Sequence, residues 1–175
     1  VSLKAIKKIK LSENAYQDCL KIKPDYVIAI TNYANLKQEI NDHHESIKLY
    51  LKALEFKSEI NEIYIYSKLS NLYHSLGNFK KAKYYVEKII KKNPQYTYGH
   101  VLLSKFVDYE NDSSHLLKME EIINKKNLNN NELIDLSFAI GLAYEKTKNY
   151  DLSFKYLNQA NNLKNNIITY NLSDS

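Results

Sequence analysis

The sequence predicts an all-α protein in which helical hairpins stack into an α-α superhelix, and three observations lead to this fold class. Apolar side chains recur three and four residues apart along most of the chain, which is the spacing of one face of an α-helix. Short breaks that contain Gly, Asn or Pro interrupt this pattern, and these residues end helices readily. The same pair of helices recurs about every 35 residues, which predicts a solenoid of repeats.

The segment 63–96 is the clearest copy of this hairpin. Its first helix carries one apolar face, and Gly77-Asn78 ends it because Gly and Asn enter a left-handed turn at low cost. Its second helix is apolar on one side and rich in lysine on the other, and Asn93-Pro94 ends it because Pro has no N–H. The small residues Ser70 and Ala82 lie where the two helices would come closest. The segment resembles the tetratricopeptide repeat, a helix–turn–helix unit of about 34 residues.

One hairpin cannot bury both of its apolar faces alone, so related copies are expected on both sides of this segment. The sequence contains such copies. We predict about four and a half tetratricopeptide repeats over residues 1–165, with boundaries at 1–26 (partial), 27–62, 63–96, 97–133 (degenerate) and 134–165. The predicted helices of the full repeats are 26–40, 43–57, 61–76, 79–92, 96–109, 112–126, 130–147 and 150–164. The periodicity stops after this range, so residues 166–175 are predicted to form an extended tail or linker toward a further domain.

The charge of the chain argues against one class of partner. The net charge is +5, and all 25 basic residues are lysines. Arginine is the side chain that recognises phosphate and guanine through two parallel hydrogen bonds, so its absence argues against specific nucleic-acid binding. The sequence contains no apolar run of about 18 residues and opens with no secretory signal. We therefore expect no membrane span and a cytoplasmic location.

The sequence shows no recognisable catalytic, cofactor-binding or metal-binding site. The glycines at 77, 99 and 141 are too far apart to form a phosphate-binding loop. The histidines at 43, 44, 74, 100 and 115 are scattered, and we expect them to be exposed or to cap helices. Glu120 and Glu121 are neighbours on a polar helix face rather than a facing acid–base pair. We expect this segment not to be an enzyme and to need no cofactor.

The first helices of a tetratricopeptide array line a concave groove where extended peptides bind. Matching positions through the repeats give these candidate groove residues: Thr31, Asn35, Tyr64, Asn71, His74, Tyr98 and Lys105. Asn at successive repeats suits hydrogen bonding to a peptide backbone, and Tyr offers a flat contact area. Packing of Tyr64 and Tyr98 against neighbouring repeats is the alternative interpretation. A carboxylate clamp for chaperone C-termini is not expected, because Thr31 and Leu102 stand where that subfamily needs basic residues.

The stretch 98–164 is similar to a narrower family. It contains the degenerate repeat with His100 and His115, the run LSFAIGLAYEKTKNYD at 136–151, and the ending at 159–164. These features resemble the end of the repeat region in bacterial tetratricopeptide sulfotransferase proteins. The resemblance implies that the chain continues into a sulfotransferase domain that uses 3′-phosphoadenosine-5′-phosphosulfate. It carries no donor-binding residue over to this segment.

Two hypotheses about function follow. The first is an interaction module within a larger sulfotransferase-like protein, and the alternative is a stand-alone adaptor that binds a partner peptide in its groove. Both imply a protein or peptide partner rather than a nucleic acid. An exposed apolar face at each uncapped end of the solenoid would also permit a homodimer.

Overall fold

The structure, a computed structural model, describes residues 3–56, 62–125 and 127–173, with side chains for 6–56, 62–125 and 127–167. Within these ranges the chain is helical and has no β-strand, which confirms the all-α prediction. The helices are α1 (Leu3–Ile22), α2 (Val27–Glu39), α3 (His43–Ala53), α4 (Glu62–Ser75), α5 (Phe79–Lys92), α6 (Thr97–Leu103), α7 (Ser114–Ile123), α8 (Asn130–Lys146) and α9 (Tyr150–Ser173). The chain divides into two compact units, an N-terminal unit (Val1–Tyr85) and a C-terminal unit (Val86–Ser175). None of the described helices is long and apolar enough to cross a membrane.

Three hairpins share one kind of turn. In each, the residue two positions after the end of the first helix has a positive φ; these residues are Asn41 (61°), Gly77 (74°) and Lys148 (61°). The amide of the next residue donates to a carbonyl five residues earlier, a bond that closes the end of a helix. The side chain of that same residue accepts from a backbone N–H in the first turn of the second helix; the three residues are Asp42, Asn78 and Asn149. One residue pair therefore ends one helix and starts the next.

The connection between α6 and α7 is built differently. The helix predicted over 96–109 ends at Leu103, and a 3₁₀ turn, Ser104–Phe106, follows it. Asp108 then closes a tight turn, because its carboxylate accepts from the Glu110 amide at 3.2 Å and from the Asn111 side chain at 2.7 Å. Asp side chains that bond to nearby groups in this way compete with the helix. The predicted length of this helix was wrong for that reason.

In the N-terminal unit, α1 packs against α2 through aromatic and charged contacts. The rings of Tyr16 and Tyr33 stack with their centres 5.7 Å apart. Lys37 Nζ lies 2.6 Å from Glu13 Oε1 and 3.4 Å from Asp42 Oδ2. The hydrogen bond to Glu13 raises the pKa of Lys37 above its usual range, so the ammonium stays charged. These contacts fix α2 between α1 and the turn that leads to α3.

Small residues allow the close approach of paired helices. The Ser46 hydroxyl donates to the Ala34 carbonyl at 2.8 Å, and both residues are fully buried. The predicted contact positions Ser70 and Ala82 are also buried. Gly141 on α8 has no room for a side chain, because an added Cβ would lie 2.7 Å from Leu157 Cγ on α9. The hairpins therefore depend on residues without bulk at these points.

The final helix is longer than the sequence suggests. α9 continues to Ser173, so residues 166–173 are helical and the prediction of an extended tail was wrong there. This range contains neither Gly nor Pro, and nothing in it therefore stops a helix that is already formed. The core of the C-terminal unit lies before this extension and contains Tyr109, Leu116, Met119, Ile122, Leu136, Ala139, Ile140 and Ala143.

Candidate functional site

The N-terminal unit holds a polar cluster centred on Asn35, which we call the Asn35 cluster. Asn35 lies on α2, Tyr50 on α3 and Tyr64 on α4. The Tyr50 hydroxyl donates to Asn35 Oδ1 at 2.6 Å, and the Tyr64 hydroxyl donates to the same oxygen at 3.0 Å. Three helices therefore meet at one carboxamide oxygen.

The two tyrosines of the Asn35 cluster differ in exposure. Tyr50 is fully buried, whereas Tyr64 is 39% exposed. Burial, together with the neighbouring Tyr64 hydroxyl, raises the pKa of Tyr50 above its usual range. The Tyr50 hydroxyl therefore stays protonated and remains a hydrogen-bond donor.

An open pocket of about 490 Å³ adjoins the cluster, and we call it the Asn35 pocket. Its lining residues are Asn35, Gln38, Glu39, Tyr64 and Lys68. The Lys68 ammonium lies 5.4 Å from the centre of the Tyr64 ring, within the range of a cation–π interaction. The pocket thus combines two amides, an aromatic ring and one charge of each sign.

Of the seven groove residues predicted from the sequence, the structure places Asn35 and Tyr64 at this pocket. Thr31 is buried, and its hydroxyl donates to backbone carbonyls of its own helix at 2.9 and 3.0 Å. Asn71 and His74 are partly buried on α4. These three residues do not line the Asn35 pocket.

Tyr98 and Lys105 belong to the C-terminal unit. Tyr98 is partly buried on α6, where its ring packs edge-on against Tyr96 with centres 6.4 Å apart. Lys105 is exposed in the 3₁₀ turn rather than on a helix. The structure therefore gives this residue a different backbone setting from the one predicted.

Gln38, Glu39 and Lys68 also line the Asn35 pocket but were not among the residues predicted from the sequence. Gln38 and Glu39 follow Asn35 by three and four residues, and Lys68 follows Tyr64 by four. Residues at these spacings share a helix face, so extending each candidate along its own helix would have found them. Matching positions between repeats did not, because the neighbouring repeats carry different residues there.

The C-terminal unit contains a second polar cluster, formed by His100, His115 and Tyr109, which we call the histidine cluster. His100 Nδ1 lies 3.2 Å from His115 Nε2, and the Tyr109 hydroxyl lies 2.7 Å from His115 Nδ1. His100 Nε2 lies 2.9 Å from the Pro94 carbonyl oxygen. Both histidines are buried, so the prediction that they are exposed or capping was wrong.

The hydrogen bonds of the histidine cluster fit one arrangement of protons. A carbonyl oxygen can only accept, so His100 Nε2 carries the proton and His100 Nδ1 accepts from His115 Nε2. His115 Nδ1 then accepts from the Tyr109 hydroxyl. When both histidines are neutral, all four of their ring nitrogens and the Tyr109 hydroxyl are hydrogen-bonded.

The charge state of the histidine cluster agrees with this arrangement. Burial and the adjacent His100 lower the pKa of His115 to about 4, and burial also lowers the pKa of His100. Asp112 opposes the change at His115, and Lys118 adds to the change at His100. Both imidazoles are therefore neutral at neutral pH.

A third cluster is formed by Glu120 and the hydroxyl groups of two tyrosines. Its Oε1 accepts from the Tyr144 hydroxyl at 2.5 Å and lies 3.4 Å from the Tyr156 hydroxyl. The two rings stack with centres 5.9 Å apart. Glu120 therefore ties α7 to α8 and α9, and its neighbour Glu121 instead pairs with Lys118 at 2.6 Å.

The described residues bring together no group of three or more His, Cys, Asp or Glu side chains that could hold a metal ion. The histidine cluster has all of its ring nitrogens in hydrogen bonds within the protein. The Asn35 pocket differs because it is open and offers polar groups to an added molecule. An open pocket with polar lining residues therefore adjoins the Asn35 cluster.

The family comparison matches the tetratricopeptide repeat model at residues 28–59, 63–96 and 134–167. These ranges cover more than half of the chain and contain the three hairpins with the positive-φ turn. The degenerate copy at 97–133, with its different connection, lies outside the matched ranges. No curated protein sequence matches the chain.

Solved structures of similar fold include MamA, YrrB and the Cut9–Hcn1 hetero-tetramer of APC/C. MamA has a TM-score of 0.69 at 19% identity, with 95% of each chain covered. YrrB, a TPR protein with an unusual peptide-binding site, has a TM-score of 0.62 at 14% identity, with 92% of this chain and 80% of YrrB covered. For Cut9–Hcn1 the TM-score is 0.68 at 20% identity, with 92% of this chain and 31% of that chain covered. At these identities the likeness concerns the fold alone, and together with the family match it shows that the chain belongs to the tetratricopeptide repeat family.

Proposed function

We propose that the chain is a protein-interaction module that binds an extended peptide segment of a partner protein in the Asn35 pocket. Proteins built from tetratricopeptide repeats mediate protein–protein interactions, and this chain has the repeat. The observation that carries the proposal is the pocket on α2 and α4, the first helices of two consecutive repeats. First helices are the elements that present ligand-binding side chains in this architecture.

The chemistry of the Asn35 pocket suits a peptide better than a small apolar ligand. Every residue of an extended peptide except proline offers a backbone carbonyl and an N–H, and the amides of Asn35 and Gln38 can pair with such groups. Tyr64 adds a flat ring whose ordering costs little conformational entropy. Lys68 and Glu39 can each pair with a peptide side chain of opposite charge. Pockets for apolar small molecules are instead lined mainly by hydrophobic side chains.

The likeness to YrrB supports the proposal at the level of architecture. YrrB is described as having an unusual peptide-binding site, and its fold is similar to that of this chain. A repeat array of this size therefore has room for a bound peptide. The residues proposed to bind come from the geometry of this chain.

Selection from a random peptide library tests the proposal. The immobilised chain is panned against a phage-displayed library, and affinities of the selected peptides are measured by calorimetry for wild type, Asn35→Ala and Asn32→Ala. Asn32 is exposed on the same helix and does not line the pocket, so it provides a matched control. We expect peptides that lose at least about tenfold in affinity with Asn35→Ala, a loss equivalent to about 1.4 kcal/mol, and are unaffected by Asn32→Ala. Failure to select any peptide sensitive to Asn35→Ala would contradict the proposal.

The wider context of the module is a second proposal, and it rests on the sequence resemblance of 98–164 to sulfotransferase-associated repeats. The comparisons support the repeat and give no support to the sulfotransferase context. If that context holds, catalysis belongs to another part of the protein, and this segment positions a partner. Calorimetry with 3′-phosphoadenosine 5′-phosphate tests the division of roles, and we expect no saturable binding to this segment. Saturable micromolar binding would contradict it.

Self-association is a further part of this proposal. The terminal helices carry exposed apolar side chains, with Ile22 87% exposed on α1 and Phe154 71% exposed on α9. Exposed apolar side chains of this size favour association when they are contiguous. Sedimentation velocity over a range of concentrations tests for a homodimer, and a monomer at all concentrations would contradict it.

A cytoplasmic location and the absence of nucleic-acid binding stay as predictions from the sequence.

A further inference from the structure

We infer that the Asn35 carboxamide is held in one orientation by two tyrosine hydroxyls, so that the pocket recognises hydrogen-bond acceptors, and that buried Tyr50 is the positioning residue for this selectivity. The inference rests on the proposed function, because it names the ligand chemistry of the same pocket. A carboxamide can present either its oxygen or its nitrogen to a ligand. The structure contains the contacts that decide between them.

The first step concerns the oxygen. Asn35 Oδ1 accepts from Tyr50 at 2.6 Å and from Tyr64 at 3.0 Å. A carbonyl oxygen has two lone pairs, so these two donors use its ordinary capacity. A ligand N–H would have to displace one of them to reach the oxygen.

The second step concerns the nitrogen. Within the described residues, no protein atom accepts a hydrogen bond from Asn35 Nδ2. Asn35 also lines the Asn35 pocket, where a ligand can accept from this nitrogen. Because the oxygen is occupied and the nitrogen has no partner among the described residues, the groups that Asn35 can offer to a ligand in the pocket are its two N–H donors. They suit a backbone carbonyl or a carboxylate oxygen of the bound peptide and reject a group that can only donate.

Tyr50 and Tyr64 do not contribute equally to the orientation of the Asn35 carboxamide. A hydroxyl oxygen can also accept from an NH₂ group, so a turned-over carboxamide would not clash with the two tyrosines. It would, however, take away the acceptor of the Tyr50 O–H, which is fully buried and remains protonated because its pKa is raised. The shorter of the two bonds comes from this residue, and water does not reach it. Tyr64 is partly exposed and can exchange its bond with water. Tyr50 therefore contributes more to the orientation, although it does not line the pocket.

The test compares isosteric variants in two measurements. Asn35→Asp keeps an acceptor for both tyrosine hydroxyls and removes the two N–H donors. Tyr50→Phe removes only the hydroxyl that positions the amide. Tyr33→Phe is the matched control, since Tyr33 is buried in the same unit and its hydroxyl contacts Gln17 at 3.2 Å instead.

The first measurement needs no ligand. In ¹⁵N-resolved NMR spectra of the free chain, we expect one sharp pair of Asn35 side-chain NH₂ signals in wild type and in Tyr33→Phe. Tyr50→Phe should shift or broaden this pair, whereas the NH₂ signals of exposed Asn32 stay unchanged. Unchanged Asn35 signals in Tyr50→Phe would overturn the positioning role, whatever the outcome of the peptide selection.

The second measurement uses a peptide obtained from the library with wild-type chain. We expect Asn35→Asp to lower its affinity at least tenfold and Tyr50→Phe to lower it three- to tenfold, with no change in Tyr33→Phe. In the Asn35→Ala background, Tyr50→Phe should have no further effect, because a positioning residue acts only through the group that it positions. Equal affinity of wild type and Asn35→Asp would overturn acceptor recognition. An undiminished Tyr50→Phe effect in the Asn35→Ala background would show a merely structural role and overturn the positioning claim. Failure to obtain any peptide dependent on Asn35 would instead count against the proposed function.

Discussion

The Asn35 cluster and the histidine cluster both contain a buried tyrosine hydroxyl bonded to a polar side chain, and the Asn35 cluster in addition adjoins an open pocket. Each contains a buried tyrosine whose hydroxyl donates to a polar side chain of another element, at 2.6 Å for Tyr50 and 2.7 Å for Tyr109. In the histidine cluster the hydrogen bonds continue from ring to ring and end on the Pro94 carbonyl. In the Asn35 cluster they end on the side-chain oxygen of a residue that lines an open pocket.

The difference shows how a repeat protein can use one kind of polar contact for two purposes. A polar group that is buried must find a partner inside the protein, because leaving it unpaired costs about 1–3 kcal/mol. The histidine cluster meets this requirement completely and therefore serves stability. The Asn35 cluster meets it for the oxygen and leaves the nitrogen without a protein partner among the described residues, so it can serve recognition. We expect substitutions to affect mainly stability in the first cluster and mainly binding in the second.

The largest effect on stability should come from breaking the histidine cluster. His115→Phe would leave the Tyr109 hydroxyl and His100 Nδ1 buried without their partner, and we expect a loss of about 2–4 kcal/mol in the free energy of unfolding. His44→Phe, at an exposed position on α3, is the control and should change stability by less than about 0.5 kcal/mol. Urea denaturation measures both. Equal stability of the two variants would mean that the cluster is not a closed network.

Acid should act on the same cluster. The pKa values of His100 and His115 are lowered in the folded chain, so the unfolded chain binds more protons as the pH falls below about 6.5. Stability from this cluster is therefore complete above about pH 6.5 and is lost progressively toward the folded-state pKa of about 4. Between pH 7 and pH 5 we expect a loss of roughly 1–2 kcal/mol in the C-terminal unit.

Hydrogen exchange can assign this acid effect to one unit. The amides of buried Met119 and Leu72 report on the C-terminal and N-terminal units, respectively. After correction for intrinsic exchange rates, the opening free energy at Met119 should fall more than that at Leu72. An equal fall at both amides would place the pH dependence outside the histidine cluster.

A matched pair of tyrosine substitutions compares the two clusters directly. Tyr109→Phe should cost about 1–3 kcal/mol in unfolding free energy, since His115 Nδ1 loses the donor of its hydrogen bond in a buried site. Tyr50→Phe should cost less, about 0.5–1.5 kcal/mol, because Asn35 Oδ1 keeps its bond to Tyr64. Thermal and urea unfolding give both values. A larger loss for Tyr50→Phe would reverse the comparison.

The smallest effect on stability should come from Asn35→Asp. The carboxylate keeps an acceptor for both tyrosine hydroxyls, and the group removed has no protein partner among the described residues, so we expect a change below about 0.5 kcal/mol. The same substitution should abolish most of the peptide affinity. Calorimetric binding and urea unfolding of one preparation test whether recognition and stability separate at this residue. A stability loss comparable to that of His115→Phe would remove the distinction between the clusters.

The repeat pattern made most of the helical architecture predictable. The turn at Gly77 was predictable because glycine adopts positive φ easily. Lys148 has the same backbone conformation, but a lysine in the sequence does not indicate such a turn. At the start of α8 the structure shows a capping box between Asn129 and Glu132. The ends of α6 and α9 were predicted wrongly. At α6 a local turn at Asp108 replaces the helix, and at α9 the lost periodicity does not end a helix that contains no breaker.

The candidate site was only partly predictable. Asn35 and Tyr64 were found because their positions recur between repeats, and the other lining residues were not. The burial of His100 and His115 had no signal in the sequence. Fifteen residues separate them, and their pairing depends on how the 3₁₀ turn and the Asp108 turn bring α7 back to α6.

The sequence by itself determined most of the helices, the turn at Gly77 and the tetratricopeptide repeat family, because these depend on spacing and on residues near one another along the chain. The tertiary structure decided which polar groups are hydrogen-bonded within the protein and which can bind a ligand. That outcome depends on distances between side chains from different helices, as in the two bonds that occupy Asn35 Oδ1. A hydrogen bond weakens steeply over a few tenths of an ångström and with its angle, whereas a sequence pattern fixes only the face of the helix on which each partner lies.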